Sequence, residues 1–397
     1  LGEVYTEMKK YDAAERSFEN ALKYSGVNQT LESLNDEEIK LIIDILTNQA
    51  ENFIAEGRVD NAIASLTKAK TFDSKNPMIY IGLGDAYLVR GAFEPAVTNY
   101  NQALTLKSGY APAYYGLGKA LFKQKKYNDA LEQFNKSIES DRNFAESYFE
   151  KGRVLYLADK FEPALDVFKK YAELKPGSLR GNTYYAKTLY GMGKYDEAME
   201  LLDEALKIDP VYSEANKYKA YIYIEKKDYK KAEEYFSKVK QEDYNSEDYI
   251  KYAKIFVDQK EFLKAYEYIN RAIAMDFEDP TGYFELGKAM FINQEYEVAL
   301  SNFTKAIDLG ILNTGAYVYK GITYYYLNDY DNAINILQKS IELNPNIPSS
   351  YRWLGISYAS SNKNNEAIEA YEKYLEFEPD DQFAKDQIAK LKAVNKQ

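Results

Sequence analysis

The chain has 397 residues, of which 28 % are charged and 46 % hydrophobic, and its formal net charge is −11. That balance describes a foldable chain, and it argues against generic nucleic-acid binding, which needs Lys and Arg to displace counterions from phosphates. There is no cysteine and no histidine, which excludes disulfides, thiolate zinc sites, imidazole acid–base catalysis and His-ligated metals.

Leu1 falls within a helical pattern and is not Met, which leaves room for a leader or further repeats ahead of it. One alanine then recurs along the chain: Ala14, Ala62, Ala96, Ala130, Ala164, Ala198, Ala232, Ala265, Ala299, Ala333 and Ala367. From Ala62 onward the interval is 34 residues, with one interval of 33 between Ala232 and Ala265. The first interval is 48, so an insertion separates the first two units.

Other residues keep step. Twelve before each alanine stands Gly or Ala, as in Gly84, Gly118, Gly152 and Ala186. Sixteen before is usually Tyr, and nine before is large and apolar or aromatic. Thirteen before is mixed, with Leu83 and Leu117 but also Lys151, Lys219 and Lys320. These offsets form one stripe of a helix. After the alanine, a bulky residue at plus four (Phe18, Tyr100, Phe134, Phe168, Phe303) and a small or apolar one at plus seven and eight form the stripe of a second helix. A short polar turn with an aromatic joins the two. Pro95 and Pro163 fit the first turn of second helices, and Pro176, Pro210, Pro345 and Pro379 end them.

The pattern predicts a partial first repeat over 1–26, an insertion over 27–42, ten repeats over 43–381 and a C-terminal capping helix over 382–397. Asn35 and Glu38 read as a capping box opening a lengthened helix. The polar stretch 240–248 is shortened, and Asn182 and Asn216 replace the usual Tyr, so a flexible joint is expected near 240–248. In the last helix Phe383, Ile388 and Leu391 are expected to face inward. One helix pair cannot bury its own apolar stripes, but stacked copies can.

This Gly/Ala, Tyr, Ala, Phe/Tyr, Ala, Pro series at a 34-residue period resembles the tetratricopeptide repeat family over nearly the whole chain. The resemblance implies an all-α, right-handed superhelical solenoid of about eleven antiparallel helix pairs. It also implies that peptides or proteins bind in the concave groove. From the residues themselves, neither catalysis nor a cofactor is expected. Some members clamp an acidic C-terminal peptide with Lys, Asn and Arg on adjacent first helices. The asparagines of that clamp are not at matching slots here, so that ligand is not expected.

The stretch "GYFELGKA", Gly282 to Ala289, imitates a phosphate-binding loop. It lacks the Ser or Thr after the lysine and lies inside a first helix, where backbone N–H groups are already engaged. Gly287 is instead the small packing residue of its repeat.

Lys288 lies eleven before its alanine, roughly opposite the buried stripe, and in the resembled family that face lines the groove. The same slot reads Glu3, Glu51, Asp85, Lys119, Arg153, Lys187, Tyr221, Lys254, Lys288, Ile322 and Ile356. It runs from acidic through basic to apolar. Beside it, eight before the alanine, stand Phe122, Tyr156, Tyr190 and Tyr325, and Tyr184 also faces the groove or its edge. Cations beside aromatics suit an extended partner segment carrying carboxylates and apolar side chains. Arg153, Lys254 and Lys288 have acids three or four residues away in their own helices, whereas Lys119 and Lys187 have none and are the better ligand candidates. Trp353, the only tryptophan, falls beside the groove near Arg352.

Acidic pairs such as Asp36-Glu37 and Asp380-Asp381 sit at helix starts or loops, which gives enzyme chemistry no visible home. Asn-x-Ser/Thr occurs at Asn28, Asn135 and Asn302, two of them within helices. The expected role is a non-catalytic protein-binding scaffold with no nucleic-acid partner and no membrane insertion. Self-association of the array and service as the recognition arm of a larger enzyme are the alternatives. A Lys-, Asn-, Tyr- and Ile-rich composition points to a bacterial source, with a cytoplasmic or periplasmic setting.

Overall fold

The computed structural model describes residues 2–25, 27 and 33–395. Among them are 23 α-helices and no strand. The chain divides into two compact units, Leu1–Pro210 and Val211–Gln397.

The first unit holds six hairpins: Gly2–Glu7 with Tyr11–Tyr24, Asp36–Ala55 with Val59–Phe72, Pro77–Arg90 with Phe93–Leu106, Ala111–Lys123 with Tyr127–Ser140, Ala145–Leu157 with Phe161–Leu174, and Leu179–Gly191 with Tyr195–Ile208. The second holds five: Ser213–Glu225 with Tyr229–Phe236, Ser246–Asp258 with Phe262–Met275, Pro280–Ile292 with Tyr296–Asp308, Gly315–Tyr326 with Tyr330–Leu343, and Pro348–Ser360 with Asn364–Phe377. Gln382–Val394 follows as a single helix. Within each unit a first helix packs on its own second helix and on the first helix of the next hairpin, while second helices make no comparable contact with one another. Packing first helices side by side and splaying the second ones makes the first-helix face the inner one.

The alanine of each repeat is fully buried, from Ala14 to Ala367. The small residue twelve before it faces the bulky residue four after it. Added side chains would collide: a Cβ on Gly152 would lie 2.6 Å from Phe168 and one on Gly355 2.9 Å from Tyr371. The two slots exchange size. Glycine faces a ring in Gly2–Phe18, Gly84–Tyr100, Gly118–Phe134, Gly152–Phe168, Gly287–Phe303 and Gly355–Tyr371. Alanine occupies the slot where the partner is Leu66, Leu202 or Ile269, and Gly321–Leu337 and Ala220–Phe236 depart from the rule.

Every hairpin turn uses one left-handed residue, five before the alanine. Three are Gly57, Gly91 and Gly193; the others are Lys9, Lys125, Asp159, Lys227, Lys260, Gln294, Asn328 and Asn362. The following N–H reaches back to close the first helix, as from Lys126 to the Leu121 carbonyl at 3.0 Å and from Lys363 to that of Tyr358 at 2.9 Å.

The irregular stretches have local causes. The capping box forms as expected: Asn35 Oδ1 accepts from the Glu38 N–H at 2.9 Å and Glu38 Oε2 from that of Asn35 at 2.9 Å. Helix Asp36–Ala55 thereby absorbs the end of the insertion. Asn28 lies outside the described residues; Asn135 and Asn302 are within helices. The 240–248 stretch lies inside the second unit and is tied down rather than bare. Lys217 and Asp248 are both buried and pair at 2.8 Å, Lys217 also donates to the Asp243 carbonyl, and Tyr221 donates to Asp248. In the final helix Ile388 and Leu391 pack inward with buried Ala384. Phe383 stays 40 % exposed, because it sits one residue off that stripe.

Candidate peptide-binding groove

In the first unit the slot eleven before the alanine does form a row on neighbouring first helices. It begins acidic. Glu51 keeps accessible area but stands in a concave pocket with Glu3, Thr6, Phe18 and Asn48. Protein on most sides pushes its carboxyl above the usual range, and Asp85 and Glu3 add repulsion.

Lys119 has an acid after all, supplied by the preceding repeat. Its Nζ lies 2.8 Å from Asp85 Oδ1, which also accepts from the Tyr100 hydroxyl at 2.9 Å. Burial, then Asp85, pushes that hydroxyl well above its usual range. The Lys119 ammonium also lies 4.7 Å from the Tyr115 ring centre. Arg153 pairs within its own helix, 2.6 Å from Glu150, and its guanidinium lies 5.3 Å from Phe122 and 5.9 Å from Tyr184. Lys187 stands 4.7 Å from the same Tyr184 ring. A residue missed by sequence reasoning completes this patch: Arg180, 3.3 Å from Glu150 and 3.6 Å from the Phe149 ring centre. Its signal was present, since it precedes Lys187 by two turns and shares its face.

The flanking aromatics turn out to serve the hairpins as well. Each packs on a ring opening its own second helix: Phe122 on Tyr127 at 5.6 Å, Tyr156 on Phe161 at 5.8 Å, Tyr190 on Tyr195 at 5.7 Å and Tyr325 on Tyr330 at 5.5 Å. Only their remaining edges stay partly exposed. Tyr184 packs on Tyr156 of the hairpin before it, at 6.2 Å, and on Phe149 at 5.1 Å.

The second unit departs from the expected row at its start. Tyr221 is 3 % exposed and its hydroxyl is committed to Asp248, so it belongs to the core and not to a binding surface. Lys254 pairs with Glu225 of the preceding repeat at 3.3 Å, while Asp258 accepts from the Tyr229 hydroxyl at 2.6 Å. Lys288 pairs with Glu285 at 2.9 Å, as its spacing implied. Between Ser246–Asp258 and Pro280–Ile292 lies a cavity of about 660 Å³ lined by Ile250, Lys254, Val257, Glu285, Lys288 and Ile292 among others. Further along, Trp353 lies 5.4 Å from Tyr325 and 5.9 Å from Tyr326, and Phe291 lies 5.8 Å from Tyr319. Ring fourteen before the alanine thus meets ring eight before the previous one, as in Tyr184–Tyr156.

Stacked first helices, with cations and rings repeating in register, define a solenoid of helical hairpins. Models of the tetratricopeptide repeat match residues 1–28, 84–125, 111–144, 321–361 and 348–381. The model described as the tetratricopeptide repeat protein 21 N-terminal ARM repeat matches 169–300. The chain belongs to the tetratricopeptide-repeat family. No curated protein sequence matches it. Among solved structures, the APC/C hetero-tetramer Cut9-Hcn1 is similar at 16 % identity, covering 98 % of this chain and 88 % of that one with a TM-score of 0.55. Yeast Tom70 is similar at 16 % identity over 99 % and 94 %, TM-score 0.49. YrrB, "a TPR protein with an unusual peptide-binding site", is similar at 26 % identity over 43 % and 88 %, TM-score 0.34. The first of these shows the same fold. No helix among the described residues is long and apolar enough to cross a membrane.

Proposed function

We propose that this protein is a non-catalytic scaffold whose first-helix faces hold an extended segment of a partner protein, one with carboxylates and apolar side chains. The observation that carries the reading is the row Lys119, Arg153 and Lys187. The three are half-exposed, each at the same register of successive repeats, and each stands over an aromatic ring. Ammonium and guanidinium groups over rings favour a ligand that brings negative charge together with apolar surface. The cavity beside Lys254 and Lys288 repeats the combination of cations and aliphatic walls.

The test is fluorescence anisotropy with a labelled extended peptide alternating aspartate and leucine. Lys119→Glu with Lys187→Glu should weaken binding at least about tenfold, with helicity retained by circular dichroism. Unchanged affinity in that variant sinks the reading. Sedimentation at rising concentration runs beside it, because mass growth without peptide binding favours self-assembly instead.

A further inference from the structure

We propose that Arg153 and Arg180, bridged by Glu150, form a preorganised oxyanion clamp for one carboxylate or phosphoryl group on the bound segment. The proposal rests on the groove reading only for the peptide that carries the group. Glu150 comes from the fifth hairpin of the first unit, and its side chain is 9 % exposed. One oxygen takes Arg153 at 2.6 Å and the other takes Arg180 of the next first helix at 3.3 Å. A single carboxylate therefore sets the spacing of two guanidiniums on neighbouring repeats.

Both guanidiniums are also held by rings. Arg180 stands 3.6 Å from the Phe149 ring centre, and Arg153 lies 5.3 Å from Phe122 and 5.9 Å from Tyr184. Much of the side-chain freedom that binding would otherwise remove is already lost. A guanidinium has five N–H donors in a planar fork, and one carboxylate cannot engage both forks fully. The side chains remain 29 % and 51 % exposed, so unused donors face water. Two cations share one acid here; Glu146, one turn before Glu150, is a further acid on the same helix, and Lys187 adds a cation over Tyr184. Planar, bidentate donors at this place suit an oxyanion.

The probes are three short labelled peptides identical except at one central residue, which is asparagine, aspartate or phosphoserine. The aspartate and phosphoserine peptides should bind the native chain about tenfold more tightly than the asparagine one, with phosphoserine at least equal to aspartate. Removing both arginines alone would strand a buried carboxylate, so the informative variant is Glu150→Gln with Arg153→Gln and Arg180→Gln. It should bind all three peptides alike. Lys136→Gln with Lys170→Gln, whose side chains are exposed on second helices, should keep the preference. Arg153→Lys with Arg180→Lys keeps Glu150 paired but loses the fork, and should cut the preference several-fold. In parallel, inorganic phosphate is titrated against the arginine Nε–H resonances, which needs no peptide. A preference that survives in the triple variant overturns the clamp, as does a change in melting with no change in preference. Phosphate-induced shifts at Arg153 and Arg180 without any peptide binding would keep the clamp and fail the groove reading. Absence of both responses overturns the clamp.

Discussion

A Cβ placed on Gly287 would lie 2.7 Å from Cδ1 of the Phe303 ring in the facing helix. That contact explains why "GYFELGKA" carries Gly-Lys at its sixth and seventh places: the glycine admits a ring, and the lysine turns away from the buried stripe. The same exchange of size runs through the array, with alanine tolerated opposite Leu66 or Leu202. Gly287→Ala should therefore destabilise by about 1–3 kcal/mol through overpacking. Gly287→Ala with Phe303→Leu restores a combination used elsewhere in the chain. Urea melts should show the double variant losing at least about 1 kcal/mol less than the sum of the two single losses. Simple additivity would refute the size pairing.

The Asp85–Lys119 bond at 2.8 Å joins neighbouring repeats with about a third of each side chain exposed. Pairs this wet are worth about 0–1 kcal/mol. Asp85→Asn with Lys119→Gln should leave stability within about 1 kcal/mol of the native chain. Lys119→Glu alone should cost more, because it sets a second carboxylate against Asp85. Thermal melts of the two variants distinguish these outcomes, and equal melting would deny the pair any weight.

Left-handed lysine carries a steric cost that glycine avoids. Lys125 has φ 61° in a turn where Gly57, Gly91 and Gly193 fill the equivalent places elsewhere. Lys125→Gly should stabilise by about 0.5–1 kcal/mol, the steric relief less the extra freedom of an unfolded glycine. Gly91→Lys should destabilise by a similar amount. A loss of stability in the first variant would contradict the turn assignment.

Glu51 has its carboxyl held above the ordinary glutamate value of 4.5, by burial first and by Asp85 and Glu3 second. A raised acid binds its proton more tightly in the folded state. The penalty is then absent below pH 4.5 and grows as pH rises through the elevated folded value. Glu51→Gln should raise the melting temperature at pH 7 and give no gain at pH 4. An equal gain at both pH values would show that charge is not the cause.

Much of this architecture was legible because each repeat states its own register. The alanine, the small residue before it and the bulky residue after it are local signals, copied often enough to read without a partner. The slot eleven before the alanine was legible for the same reason, and Lys119, Arg153 and Lys187 occupy it on successive first helices. Their partners were not. Lys119 lacks an acid three or four residues away in its own helix, yet Asp85 reaches it from the repeat before. Tyr221 occupies the groove register but turns its hydroxyl to a buried aspartate. Phe122, Tyr156, Tyr190 and Tyr325 close hairpin turns against rings three residues ahead of each alanine, a pairing visible only when the two helices are set side by side.

By itself the amino-acid order determined the helical hairpin, its length and the number of copies, since apolar periodicity and turn chemistry act over a few residues. Which charges are neutralised and which are left facing water was decided only by tertiary structure. Side chains some thirty residues apart meet there at distances of about 3 Å, as Glu150 meets Arg180, and no local pattern encodes that reach.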